Sequence, residues 1–185
     1  MRIFASAVAA VLSLASCGDP VPRLPGKTPA EQVLWAAKYE DVRALRTVLR
    51  LGADPNTRDP NNAWTPVIWA SVRGCSECIR LLADQGADLE ARGRMRQTAL
   101  ILSVRWGQED SARMLLERGA LPDAAAADGL TPLMAAARRG RAEVVELLLG
   151  RGADPVRRGP RRMTAADFAA AGGYKELAAR LRAGR

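Results

Sequence analysis

The stretch "GLTPLMAAARRGRAEVVELLLGRGADP", Gly129 to Pro155, holds one complete structural unit. Thr131 carries a hydroxyl suited to capping a helix. Pro132 then takes the first helical position, where its missing N–H costs nothing. A short helix, "LMAAARR", runs to Gly140, a residue that adopts a left-handed helix terminus without a Cβ penalty. The next segment, "RAEVVELLLGR", places Val144, Val145, Leu147, Leu148 and Leu149 on one broad apolar face. Gly152 stops it, and Ala153 to Arg162 form a turn-rich link to Thr164.

Working outward, the same punctuation returns. "LGADP" starts at Leu51, "QGADL" at Gln85, "RGALP" at Arg118 and "RGADP" at Arg151. Their glycines, Gly52, Gly86, Gly119 and Gly152, are spaced by 34, 33 and 33 residues. A second series, Gly74, Gly107, Gly140 and Gly173, keeps an interval of 33. A fixed period of this length marks a repeat architecture. Neither helix of a unit is long enough to be stable alone in water. Each buried Leu or Val contributes roughly 1.5–3 kcal/mol, but only when a neighbouring unit covers it. Stacking is therefore obligatory, and stability becomes a nearest-neighbour property.

These residues resemble the ankyrin repeats. The family's T-P-L-H-x-A-A pattern is matched by "TPLMAAA" (131–137), and more loosely by "TPVIWAS" (65–71), "TALILSV" (98–104) and "TAADFAA" (164–170). The resemblance covers residues 28–185 and implies an all-α solenoid. About five helix-turn-helix repeats would stack, joined by hairpin-like loops and starting near Thr28, Thr57, Ala91, Ala124 and Arg157. One extra residue falls in the 52–65 link. The family histidine is replaced by Ile68, Ile101, Met134 and Asp167, and the chain has no histidine at all. The first unit deviates as a cap would: Thr28 and Glu31 form a capping box, Pro29 starts a longer helix, and Glu40 takes the glycine phase.

Residues 1–16 read as a signal peptide, with Arg2 before the apolar run "IFASAVAAVLSLA". That run is too short to span a bilayer. "LASC" (14–17) resembles the bacterial lipoprotein lipobox, which implies acylation of Cys17. The alternative is an ordinary cleaved signal. Gly18 after the cysteine favours the outer over the inner membrane. "GDPVPRLPGK" (18–27) completes a lipid-attached tether over residues 17–27. The expected location is the periplasm, lipid-anchored, with a soluble periplasmic or secreted form as the alternative.

Cys75 and Cys78, in "GCSEC", open a second helix. A C-x-x-C there can serve redox exchange. Cys78, however, occupies the phase of Val145, which suits a small buried apolar residue, and in an oxidising compartment the two can pair as a disulfide. Two thiols without histidine fall short of a zinc site, so no metal and no cofactor is expected.

Formal net charge is +8, and it is uneven. Residues 17–90 hold 9 basic and 10 acidic groups; residues 91–185 hold 18 and 10. Arginines at helix C-termini complement the helix dipole. "RGRMR" (92–96) and "RRGPRR" (157–162) lie in loops and point instead to an acidic partner. The export signal argues against nucleic acid.

The family resemblance implies contact through the concave side, built from loop tips and the ends of first helices. Carried over by position, the protein-binding candidates are Trp64, Arg73, Arg94, Arg105, Trp106, Arg138, Arg139 and Arg161. Trp and Arg are the types most often found as interface hot spots. Trp106 packing on a neighbouring helix and Trp64 folding back on its Thr–Pro turn are the competing structural readings. Trp35 and Trp69 share the phase of Leu102, Ala135 and Phe168 and are expected in the core. Asp54, Asp88 and Asp154 recur in turns and make no unique site.

The sequence therefore points to a monomeric, non-catalytic module that binds an unidentified envelope protein. An immunity-like inhibitor of a periplasmic toxin is a narrower form of the same reading. Binding of anionic lipid or cell-wall polymer, and thiol oxidoreduction at Cys75 and Cys78, are the alternatives.

Overall fold

In a computed structural model the described residues are 28–183, and the elements within them alternate between inner and outer helices. The signal peptide, the acylated Cys17 and the tether expected over 1–27 lie outside the described residues. Among the described residues ten α-helices follow one another: α1 (Pro29–Lys38), α2 (Val42–Arg50), α3 (Pro66–Arg73), α4 (Ser76–Asp84), α5 (Ala99–Trp106), α6 (Glu109–Glu117), α7 (Pro132–Arg138), α8 (Ala142–Gly150), α9 (Ala165–Ala171) and α10 (Lys175–Ala183). No strand occurs among the described residues.

The odd-numbered helices stack in one row, α1 on α3, α3 on α5, α5 on α7 and α7 on α9. The outer helices α2, α4, α6 and α8 form a second row, and each repeat closes by packing its own pair. A single apolar core runs the length of both rows. It includes Leu45, Ile79, Leu82, Leu115 and Leu148 from the outer helices, and Val67, Ile68, Ile101, Leu133 and Met134 from the inner ones. Ile68, Ile101 and Met134, which fill the family's histidine position, are buried hydrophobes. Asp167 instead closes a capping box with Thr164.

Local chemistry fixes the ends of the helices. Thr28 and Glu31 form a reciprocal capping box at α1. Thr98, Thr131 and Thr164 each accept a backbone N–H from the third helical residue. Thr65 makes no such bond, and its hydroxyl is buried without a partner.

Gly140 and Gly152 answer to different constraints. Gly140 has φ +64, and a Cβ there would stand 2.2 Å from the Tyr174 ring, so it grants both a left-handed turn and a close approach. Gly152 has φ +86 with nothing within 4 Å of a Cβ; it answers only to the turn. Glu40 adopts the same left-handed region at φ 62, in the glycine phase of the first repeat.

Each inter-repeat loop folds back as a hairpin-like tip. The closing bonds are Asp59 N–H to Trp64 C=O, Gly93 to Gln97, Ala126 to Leu130, and Gly159 to Met163. The first of these spans one residue more than the others, which locates the extra residue of the 52–65 link in that tip. Neighbouring loops are tied by side chains reaching to backbone: Arg58 donates to Arg92 C=O and Arg92 to Ala125 C=O. Asn56 meets both Gly86 C=O and the Asp88 N–H.

Candidate interaction surface

The inner helices end together on one edge of the stack. Arg73 closes α3, Arg105 and Trp106 close α5, and Arg138 closes α7 with Arg139 at its cap. Arg73, Arg138 and Arg139 are exposed, and Arg105 is half-buried. Trp106 is 62% exposed and makes no ring contact among the described residues. Arg94 and Arg161 stand exposed on the tips of the second and fourth loops.

None of these six arginines makes an ion pair or a side-chain hydrogen bond among the described residues. The opposite face behaves differently. Arg46 pairs with Glu77, Arg80 with Glu77 and Asp84, Arg118 with Asp84, Arg141 with Glu109, and Arg180 with Glu146. Most of these pairs bridge one outer helix to the next. Arg118 and the neighbouring Arg80 hold the Asp84 carboxyl below the usual aspartate range, and the Arg80 bond does the same for Glu77. Those five outer-row cations are thus paired within the molecule. Among the described residues Arg43, Arg50 and Arg113 on the outer helices and all six on the inner edge are not, so the inner edge gathers unpaired charge for a partner.

Not every loop arginine belongs to that free set. Arg92 donates to Ala125 C=O, Arg157 to Asp123 C=O and Arg158 to Arg162 C=O. Arg92 and Arg157 tie neighbouring loops together and Arg158 braces its own, so the basic runs at 92–96 and 157–162 are only partly available. A run of like charge in the sequence does not reveal which members have a carbonyl within reach.

The aromatic residues correct one expectation. Trp35 and Trp69 are half-buried rather than core. At the same phase Leu102, Ala135 and Phe168 are buried. The indoles instead lean into a groove of about 280 Å³ bordered by Leu34, Tyr39, Asp59 and Pro60. Trp35 and Tyr39 have ring centroids 5.0 Å apart, and the Lys38 ammonium lies 4.8 Å from the Trp69 ring. Trp64, placed with the contact residues by sequence, is half-buried and meets Trp69 edge-on at 4.7 Å. Its indole also backs onto Gly93 of the next loop, where a Cβ would stand 2.8 Å away. Trp64 therefore belongs to the aromatic cluster of the first two repeats and not to the arginine edge. Four aromatics at the N-terminal repeats were the available signal.

Cys75 and Cys78 are joined as a disulfide, with Cα atoms 5.2 Å apart. Cys75 sits at the N-cap of α4, its sulfur accepting the Cys78 N–H, while Cys78 is fully buried. No group of three or more metal-ligating side chains occurs among the described residues, and no described helix is long and apolar enough to cross a membrane.

Family models match most of the chain: a three-copy ankyrin-repeat model at residues 33–126 and a single ankyrin repeat at 128–159. Among curated proteins, the chain is 35% identical over 69 residues to a glycerophosphocholine phosphodiesterase, gde1, of Schizosaccharomyces pombe. That match covers 37% of this chain and 6% of the relative. It is 32% identical over 90 residues to the human DNA-binding protein RFXANK, covering 49% of this chain and 35% of that protein. A human NAD-capped RNA hydrolase, NUDT12, is 38% identical over 77 residues, covering 42% of this chain and 17% of the relative. The chain thus spans little more than a third of such relatives at most, and they share its repeats.

Proposed function

We propose that the chain, which belongs to the ankyrin-repeat family of protein–protein interaction scaffolds, is a non-catalytic binding module that grips an acidic surface of another protein along its inner edge. One observation carries this reading: among the described residues Arg73, Arg94, Arg105, Arg138, Arg139 and Arg161 all lack internal counter-ions, whereas Arg46, Arg80, Arg118, Arg141 and Arg180 on the outer row are paired. Trp106, exposed among them, supplies the apolar anchor such an edge needs. Affinity would come from a few desolvated Arg and Trp contacts, and the surrounding charge would steer encounter.

The signal-like start and "LASC" (14–17) place this module, in the same reading, on the periplasmic side of a bacterial envelope. An acylated Cys17 would hold it to the outer membrane. Residues 18–27 would separate the repeats from the bilayer, and the partner would be an envelope protein. The protein would act by tethering, protecting or inhibiting that partner as a monomer.

The test is affinity capture from the producing cells' envelope with the wild type and with Trp106→Ala/Arg138→Glu. Loss of one or a few specific proteins from the variant is the expected result. Identical protein sets captured by both would overturn the proposed edge.

A further inference from the structure

Between the fourth and fifth repeats the inner edge deepens into a cleft of about 330 Å³, at the small end of ligand-sized pockets, which run roughly 300–1,000 Å³. Arg138 enters it from the end of α7 and Arg161 from the loop tip before α9. Leu130, Met163 and Phe168 provide its apolar lining. The cleft's own carboxylate, Asp128, accepts the Leu130 N–H at 3.0 Å and thereby closes its turn. Among the described residues neither guanidinium has a counter-ion.

The loop that supplies Arg161 is unusual. Arg161 and Arg162 follow one another at φ 55 and φ 59, a left-handed conformation uncommon for side-chain-bearing residues. The position of Arg162 is left-handed in every loop, as Ala63 at φ 60, Arg96 at φ 54 and Gly129 at φ +85, so the residue peculiar to this loop is Arg161, whose counterpart Asp128 is not left-handed. Backbone strain of this kind gathers where a side chain must be presented in a set direction. Here its consequence is an arginine at the rim of an apolar hole.

We propose that this cleft is the anchor pocket for an acidic protein segment bearing one large apolar side chain. The apolar residue enters between Met163 and Phe168, and flanking Asp or Glu carboxylates engage Arg138 and Arg161. This rests on the concave-edge reading and names the chemistry its partner must offer. Charge complementarity selects the occupant. A basic segment would meet two unpaired guanidinium groups, and a purely acidic one would leave the apolar lining wet. The surplus of positive charge over residues 91–185 steers the same kind of segment to this end of the stack.

The experiment is fluorescence anisotropy on the full chain with a labelled peptide, Glu-Glu-Phe-Glu-Glu. Comparison peptides replace Phe by Ala, or every Glu by Lys. Arg138→Glu and Arg161→Glu should each weaken binding of the first peptide by roughly tenfold. Arg113→Glu, an equal charge change at an exposed site on α6, should leave it within about twofold. The Ala peptide should bind more weakly and the Lys peptide not at all.

Equal losses in all three variants would reduce the cleft to bulk charge and overturn the proposal, as would indifference to the Phe. So would anionic phosphatidylglycerol vesicles outcompeting the peptide in every variant, which would mark a lipid-binding surface. Circular dichroism of each variant separates lost binding from lost fold. In cells, capture abolished by Trp106→Ala but kept by Arg161→Glu would sink the cleft and leave the wider edge standing.

Discussion

Arg141, at the N-cap of α8, reaches back one repeat to Glu109 at the start of α6, with 3.0 Å between Nη1 and Oε1. The pair typifies the outer row, where charge is balanced locally between adjacent units. It is exposed, so its value to stability is small, about 0–1 kcal/mol. Glu109→Gln should therefore shift the unfolding free energy by no more than about 1 kcal/mol in urea denaturation. A larger loss would mean that the outer ladder, rather than the apolar core, holds the stack together.

Gly140 and Gly152 differ in how much a side chain should cost. Gly140→Ala adds a Cβ into the Tyr174 ring as well as straining a left-handed backbone. Gly152→Ala meets only the backbone strain, about 1–2 kcal/mol. Thermal unfolding should show the first variant clearly less stable than the second. Gly150→Ala, in α8 with open space around it, should instead gain up to about 1 kcal/mol.

Core continuity makes a sharper claim. Leu115 in α6 is fully buried and belongs to the cluster that joins all five repeats. Leu115→Ala should cost roughly 2–5 kcal/mol. Because each unit depends on its neighbours, loss of the central repeat should also loosen those beside it. Hydrogen exchange should report faster opening in α4 and α8, and protection there unchanged from wild type would contradict nearest-neighbour coupling.

Acid should attack the last repeat through Asp167. The Thr164 N–H and hydroxyl, with help from Arg182, hold its carboxyl below the usual aspartate range. A depressed folded-state pKa adds stability that is present above the unfolded value and is lost as pH falls through the folded one. Asp167→Asn should thus be less stable than wild type at neutral pH, with the difference shrinking below the ordinary aspartate range. Glu90 has the opposite sign. Burial pushes its carboxyl up despite the Leu121 N–H bond, so its ionisation subtracts from stability as pH rises through the raised value.

Much of the architecture was legible because its determinants are local. The Thr28/Glu31 capping box, the left-handed Glu40 in a glycine phase and the extra residue of the first loop tip each follow from spacing and side-chain chemistry alone. The site was less so. Periodic phase put Trp35 and Trp69 in the core, but phase carries no information on whether a bulky indole fits under its neighbour. The loop arginines divided in a way no run of charge discloses: Arg92, Arg157 and Arg158 found carbonyls, and Arg94 and Arg161 did not. That division depends on distances between repeats, which one strand of sequence does not hold.

The central claim is that unpaired inner-edge cations, and not overall basicity, hold the partner. Its most direct test is quantitative crosslinking in intact cells of two charge-matched variants, Arg73→Glu/Arg105→Glu on the inner edge and Arg43→Glu/Arg113→Glu on the outer row. The account predicts that the inner pair loses roughly 90% or more of the captured partner, a tenfold drop, while the outer pair keeps it. Equal loss from both, or retention by the inner-edge variant, would contradict it.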